Sequence, residues 1–148
     1  MLHIVPDTGV DRVLLGMDRT EARLILGEPD SVQLLDVDPV TADSIIWCYD
    51  DPYVELAFDE DAQFKLTRIT VRDPAAVLLG VQPIGLLDSE IGNHFPKARL
   101  TFSVCEMQEF TDEQLDISLW TRHGRVVSVT LSPRYVVDDN IPIWPEFR

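Results

Sequence analysis

Carboxylates are the side chains in this sequence that stand close enough together to suggest chemistry. Asp50 and Asp51 are adjacent before Pro52, and Asp59, Glu60 and Asp61 are consecutive. Paired carboxylates can act as general acid and base or hold a hard cation such as calcium. Both clusters fall at breaks between apolar runs, where aspartate is favoured because its side chain bonds its own backbone. The Asp59–Asp61 run also lacks the glycine and the closing glutamate of a calcium-binding loop. Turn roles are expected of them.

The other chemistry-bearing types are sparse. His3, His94 and His123 are scattered, and no pair has zinc-ligand spacing. His94 falls late in an expected helix, where a protonated imidazole suits the negative end of the dipole. No glycine-rich phosphate loop and no serine in a nucleophile elbow is found. Catalytic residues, cofactors and metals are therefore not expected. Cys48 and Cys105 lie in apparent strands, and two readings stand: buried free thiols in a reducing compartment, or a Cys48–Cys105 disulfide.

As a population the carboxylates say more. Twenty-six acidic residues against 12 basic ones give a net charge of −14 and a pI near 4.3. Such a field repels nucleic acid and anionic membranes and steers basic partners inward, although acidity also serves solubility. At 148 residues, with 45% hydrophobic and 26% charged, the composition is that of one globular domain or two small ones. Residues 1–7 carry no basic region and no long apolar run, so a cytoplasmic location is expected. No stretch reaches membrane-spanning length.

The elements that must position these residues start with a helix marked at both ends. Asp18 stands three residues before Glu21 in capping-box spacing, Ala22, Ile25 and Leu26 share a face, and Gly27 with Pro29 ends the helix. So short a helix must be pressed against an apolar surface. A strand is expected over Ser31–Val37, with either Val32 and Leu34 or Gln33 and Leu35 facing inward. After an acidic loop over Asp36–Asp43, strands are expected at Ser44–Tyr49, Tyr53–Phe58 and Gln63–Arg72, with Val54, Leu56 and Phe58 inward. Ala75–Leu79 reads as a single helical turn.

The pattern then restarts at Ile84–Phe95, with Gly85 against Gly16, Glu90 against Glu21 and Phe95 against Leu26. Strands follow at Ala98–Val104, Glu106–Phe110, Leu115–Trp120 and Arg125–Leu131, where Leu115, Ile117 and Leu119 repeat the inward face. The eight-residue loop Asp36–Asp43 accounts for the difference in spacing between the copies. The expected fold is α+β, two tandem repeats over 1–73 and 74–148 in one continuous globular unit. Each repeat would pack a short helical segment on a three- or four-stranded antiparallel meander. The apolar tail over Ser132–Arg148 is expected to dock.

Gly16-Met17-Asp18-Arg19-Thr20-Glu21-Ala22, running into Leu26-Gly27-Glu28-Pro29-Asp30, resembles the opening motif of the β-lactamase-inhibitor-protein-like superfamily, which includes the SmpA/OmlA lipoproteins. The second stretch matches less well, since Gly92 replaces a helix former. The chain lacks the lipobox cysteine of the lipoproteins and the disulfide pairs of the secreted inhibitor. It is therefore also similar to small cytoplasmic bacterial proteins of this type, among them toxin-neutralising immunity proteins. The resemblance implies a binding scaffold and transfers no catalytic residue.

What remains is a surface. In the first copy Asp36, Asp38, Asp43, Asp50, Asp51, Asp59, Glu60 and Asp61 occupy connections, and in the second Glu106, Glu109, Asp112, Glu113 and Asp116 cluster. Tyr53, Glu55, Asp116 and Trp120 alternate away from the expected core. An acidic face with aromatic anchors suits a basic protein. The expected function is a protein-binding inhibitor, an immunity protein that covers the active site of a basic toxin. The alternatives are an assembly or scaffold module and a small enzyme with an acidic cleft.

Overall fold

The computed structural model describes residues 2–35, 43–135 and 141–145. Three short strands open the chain, β1 (His3–Val5), β2 (Gly9–Val10) and β3 (Val13–Leu14). Helix α1 (Arg19–Leu26) leads into β4 (Ser31–Leu35), β5 (Ser44–Tyr49), β6 (Val54–Asp59) and β7 (Lys65–Val71). After β8 (Val77–Leu78) and helix α2 (Asp88–His94) come β9 (Arg99–Val104), β10 (Met107–Asp112), β11 (Ile117–Arg122) and β12 (Arg125–Leu131). The two-residue strands β13 (Arg134–Tyr135) and β14 (Pro142–Ile143) pair with each other.

Eight strands form one antiparallel sheet in the order β4-β5-β6-β7-β12-β11-β10-β9. This overturns the expected α+β fold of two helix-plus-sheet repeats: strand accounts for 48% and helix for 14%, so the protein is mainly β. The physical reason lies at β7. Its apolar residues Ile69 and Val71 pair with Leu131 and Val129 of β12, so β7 is an interior strand and the sheet runs through. Two short helices cannot cover such a sheet. A second sheet, β3-β2-β1-β8, does the rest and buries Ile4, Val10, Val13 and Leu78. The supposed helical turn at Ala75–Leu79 is in fact β8, which pairs in parallel with β1 through His3–Val77 and Ile4–Leu78.

Alternation explains which side of the large sheet is covered. Directly paired residues share a face, and Trp47–Leu56, Leu56–Ile69, Ile69–Leu131 and Leu131–Ile117 make one continuous buried row. The same register puts Val32 and Leu34 on that side, opposite Trp47 and Ile45, and so decides between the two readings of this strand. Both remain exposed because β4 is an edge strand.

Helix α1 starts as its sequence dictates. The Asp18 carboxylate accepts from Glu21 N–H at 2.8 Å, and Glu21 accepts from Asp18 N–H at 3.3 Å. Ala22 is buried, Leu24 is 83% exposed, and the Tyr49 hydroxyl donates to the Gly27 carbonyl at 2.8 Å. Gly16, just before the helix, has φ +92, a backbone conformation that strains any side chain, and a Cβ there would press on the Trp144 ring at 3.0 Å. At α2 the capping position is Leu87, whose side chain accepts no hydrogen bond; only the reciprocal bond from its N–H to Glu90 remains, at 2.9 Å.

Candidate functional site

The face of the large sheet opposite the helices carries the most developed polar surface. Over β7, β12, β11 and β10 it forms an open hollow of about 740 Å³. Register builds it. Glu55 pairs with Thr70, Thr70 with Thr130, Thr130 with Ser118, and Ser118 with Thr111, so hydroxyls line up across four neighbouring strands. The row is partly bonded: Thr70 and Thr130 lie 3.4 Å apart, Thr111 and Ser118 3.4 Å, and Thr101 and Thr111 2.8 Å. One row over, Trp120 stands between Ser128 and Glu109, and Glu109 faces Phe102. Trp120 and Phe102 meet edge-to-face with ring centroids 5.9 Å apart.

Three arginines line this hollow, an unexpected concentration in a chain of charge −14. Arg72 is ion-paired with Glu55 at 2.6 Å. Arg122 Nη2 donates to the Met107 sulfur at 3.8 Å, and neither Arg122 nor the exposed Arg68 makes an ion pair among the described residues. Glu109 accepts from the Thr101 hydroxyl at 3.3 Å.

The residues expected to bind a partner are therefore divided. Tyr53, Glu109 and Trp120 line the hollow, and Glu55 is spent on Arg72 at its border. The carboxylates lie at the ends of the sheet. Asp50 and Asp51 are exposed in the β5–β6 turn. Asp59 closes β6 before Glu60 and Asp61 of the β6–β7 turn, and Asp112 closes β10 before Glu113 and Asp116 of the β10–β11 turn; both turns lie at the end of the sheet opposite Asp50 and Asp51.

Much of this acidity serves local structure. Asp59 accepts from the Ser44 and Thr67 hydroxyls, the latter at 2.6 Å, and Asp112 is buried, accepting from the N–H groups of Gln114 and Leu115. Asp116 is ion-paired with Arg134 at 3.1 Å, and Glu60 accepts from Asp43 N–H at 3.2 Å. Asp61 and Glu113 remain exposed. Residues 36–42, including Asp36 and Asp38, lie outside the described residues.

No family model matches the chain, and no curated protein matches it. Among solved structures it is similar to an extracellular protein containing an SCP domain from Bacillus anthracis str. Ames, at 13% identity and a TM-score of 0.47. That match covers 78% of this chain and 43% of the other, so the chain spans less than half of that protein's length. A likeness of this size carries no argument here.

The remaining features are local. Cys48 and Cys105 are both free, and Cys105 sits exposed in the β9–β10 turn at φ 53, not in a strand. His123 meets Glu106 at 2.9 Å and His3 meets Asp11 at 3.5 Å, both on the surface. Among the described residues no group of three His, Cys, Asp or Glu could hold a metal ion, and no helix is long and apolar enough to cross a membrane. The arginines and hydroxyls of the hollow went unnoticed in the sequence. Their signal was alternation: Arg68 and Thr70 on β7 with Arg72 just beyond it, and Ser118, Trp120 and Arg122 on β11. Only the register shows that the two sets adjoin.

Proposed function

We propose that the protein acts by binding a basic partner protein, as an inhibitor of the immunity type that covers the partner's working surface with carboxylates. The observation that supports this best is the placement of the two acidic turns. Glu60 and Asp61 of the β6–β7 turn and Glu113 of the β10–β11 turn are exposed at one end of the sheet, with β12 between their hairpins. Tyr135 lies near Asp61, half exposed, and its hydroxyl pKa is raised by burial first and then by Asp59 and Asp61, against the pull of Arg68. Carboxylates around an amphipathic ring suit a basic surface: the charge of −14 speeds encounter, and the ring supplies buried contact. Two free thiols are consistent with action in a reducing, cytoplasmic setting.

Mixing the protein with basic toxin domains encoded beside its gene tests the reading. A complex and protection are expected, together with an on-rate that falls steeply with salt and is reduced in the triple variant Glu60→Lys, Asp61→Lys, Glu113→Lys. Neither complex nor protection would remove it. A scaffold module is the second reading. It is favoured by the two edge strands, where Leu34 of β4 and Val104 of β9 are exposed beside unpaired backbone.

A further inference from the structure

We infer that the hollow over β7, β12, β11 and β10 is a second binding site, built for a short acidic peptide segment. Charge points this way first. Arg68, Arg72 and Arg122 line it, and Glu109 is the only carboxylate among its described lining residues. Arg72 is ion-paired with Glu55, whereas Arg68 and Arg122 offer forks with no carboxylate on them among the described residues. A guanidinium fork matches a carboxylate with two parallel N–H donors.

Shape and the intervening chemistry narrow the ligand to a peptide. In the ladder Arg68 of β7 stands two residues to one side of the row Thr70–Thr130–Ser118–Thr111 and Arg122 of β11 four residues to the other, and the hydroxyls of the row can donate or accept. At the usual rise and strand spacing, six residues along the strands and two strands across put the two arginines about 22 Å apart, the length of about six or seven extended residues. Hydroxyls that serve as donor and acceptor suit the alternating N–H and C=O of an extended backbone, and Trp120 and Tyr53 offer rings to its apolar side chains. A long polyanion is disfavoured, because outside the hollow it meets the field of a chain at −14. Only a short segment keeps its carboxylates among the arginines.

The site adjoins the β6–β7 turn at Arg68, whose charge acts on the Tyr135 hydroxyl together with Asp59 and Asp61, so its test uses an acidic peptide, a ligand that the immunity reading does not predict. Isotope-labelled full-length protein is titrated with a blocked short peptide alternating valine and glutamate, with its glutamine counterpart, and with inorganic phosphate. The glutamate peptide should shift the amide signals of Thr70, Ser118, Trp120 and Thr130, and the glutamine peptide should bind about tenfold more weakly. The double variant Arg68→Glu, Arg122→Glu should lose the glutamate-peptide response while keeping a dispersed spectrum. Lys97→Glu, an exposed change away from the hollow, should retain it. Equal binding of both peptides, shifts confined to other surfaces, or phosphate binding as tightly as the peptide would each overturn the assignment.

Discussion

Asp7 and Asp116, from opposite ends of the chain, hold the same guanidinium: Arg134 Nη2 lies 3.1 Å from Asp7 and its Nε 3.1 Å from Asp116. Arg134 Nη2 also donates to the Gln114 carbonyl at 2.7 Å. The β1–β2 turn, the β10–β11 turn and the start of the tail are thereby tied at one point. The tie is electrostatically uneven. Burial first, then hydrogen bonding to and repulsion from Asp116, push the Asp7 carboxyl up to about 6, against the pull of Arg134. Asp7 Oδ1 is buried and unpartnered among the described residues, and protonation makes the Asp7 carboxyl a donor toward Asp116.

A pH dependence follows with a definite sign. The folded protein holds the Asp7 proton up to about 6, above the ordinary value of 3.8. Its contribution to stability is therefore full below the unfolded value and is lost as pH rises through the folded one. Between about pH 4 and 6 the wild type should lose stability relative to Asp7→Asn, read as urea midpoints at a series of pH values. A constant difference between the two across that range would refute the assignment. Arg134→Met should steepen the wild-type trend, because the two carboxylates then face each other without their cation.

The helix starts give opposite predictions at matched positions. Asp18→Ala removes a cap that is present and should cost about 1 kcal/mol in urea unfolding. Leu87→Asp supplies one that is missing and should stabilise by roughly 0.5–1 kcal/mol. A Leu87→Asp variant no more stable than wild type would show that the Leu87 side chain is needed where it stands.

Core and edge positions separate in the same assay. Leu56 and Leu119 are fully buried on the covered face of the sheet, so either changed to alanine should cost about 2–5 kcal/mol. Leu34 lies on the same face of the sheet but is 76% exposed, and Leu34→Ala should stay within about 0.5 kcal/mol. A loss at Leu34 matching that at Leu56 would mean that β4 is covered in solution.

Edge exposure also predicts association. Val32 and Leu34 on β4 and Leu100 and Val104 on β9 are exposed, each beside unpaired backbone. Leu34→Lys and Val104→Lys should leave the unfolding midpoint unchanged and lower concentration-dependent association in sedimentation. Equal association of wild type and both variants would show that the edges do not self-pair.

Local signals in the sequence survived well, and long-range ones did not. The Asp18–Glu21 box, the buried face Val54–Leu56–Phe58 and the eight main strands are legible because capping chemistry and period-2 alternation act over a few residues. The pairing of β7 with β12 is not, since Val71 and Val129 carry no mark that names each other. Reading two separate sheets followed from that gap. The same gap hid the hollow: Arg68 and Arg122 each look like an ordinary solvated residue until the register sets their strands on either side of β12. Carboxylate counts misled in the other direction, because Asp112 and Asp59 look available in the sequence and serve their own turns in the fold.

The seam between β7 and β12 has a kinetic consequence. Every other ladder of the large sheet joins strands consecutive in the chain, whereas this one, through Ile69–Leu131, Thr70–Thr130 and Val71–Val129, closes over all of β8 to β11. The entropy of closing so long a loop must be met before its three residue pairs return anything. The hairpins on either side can zip and unzip on their own clock, and this seam is the slow, late step. Until it forms, β7 and β12 are bare edges, so the newly made chain is most open to a wrong partner at the strands that end up at the centre of the sheet.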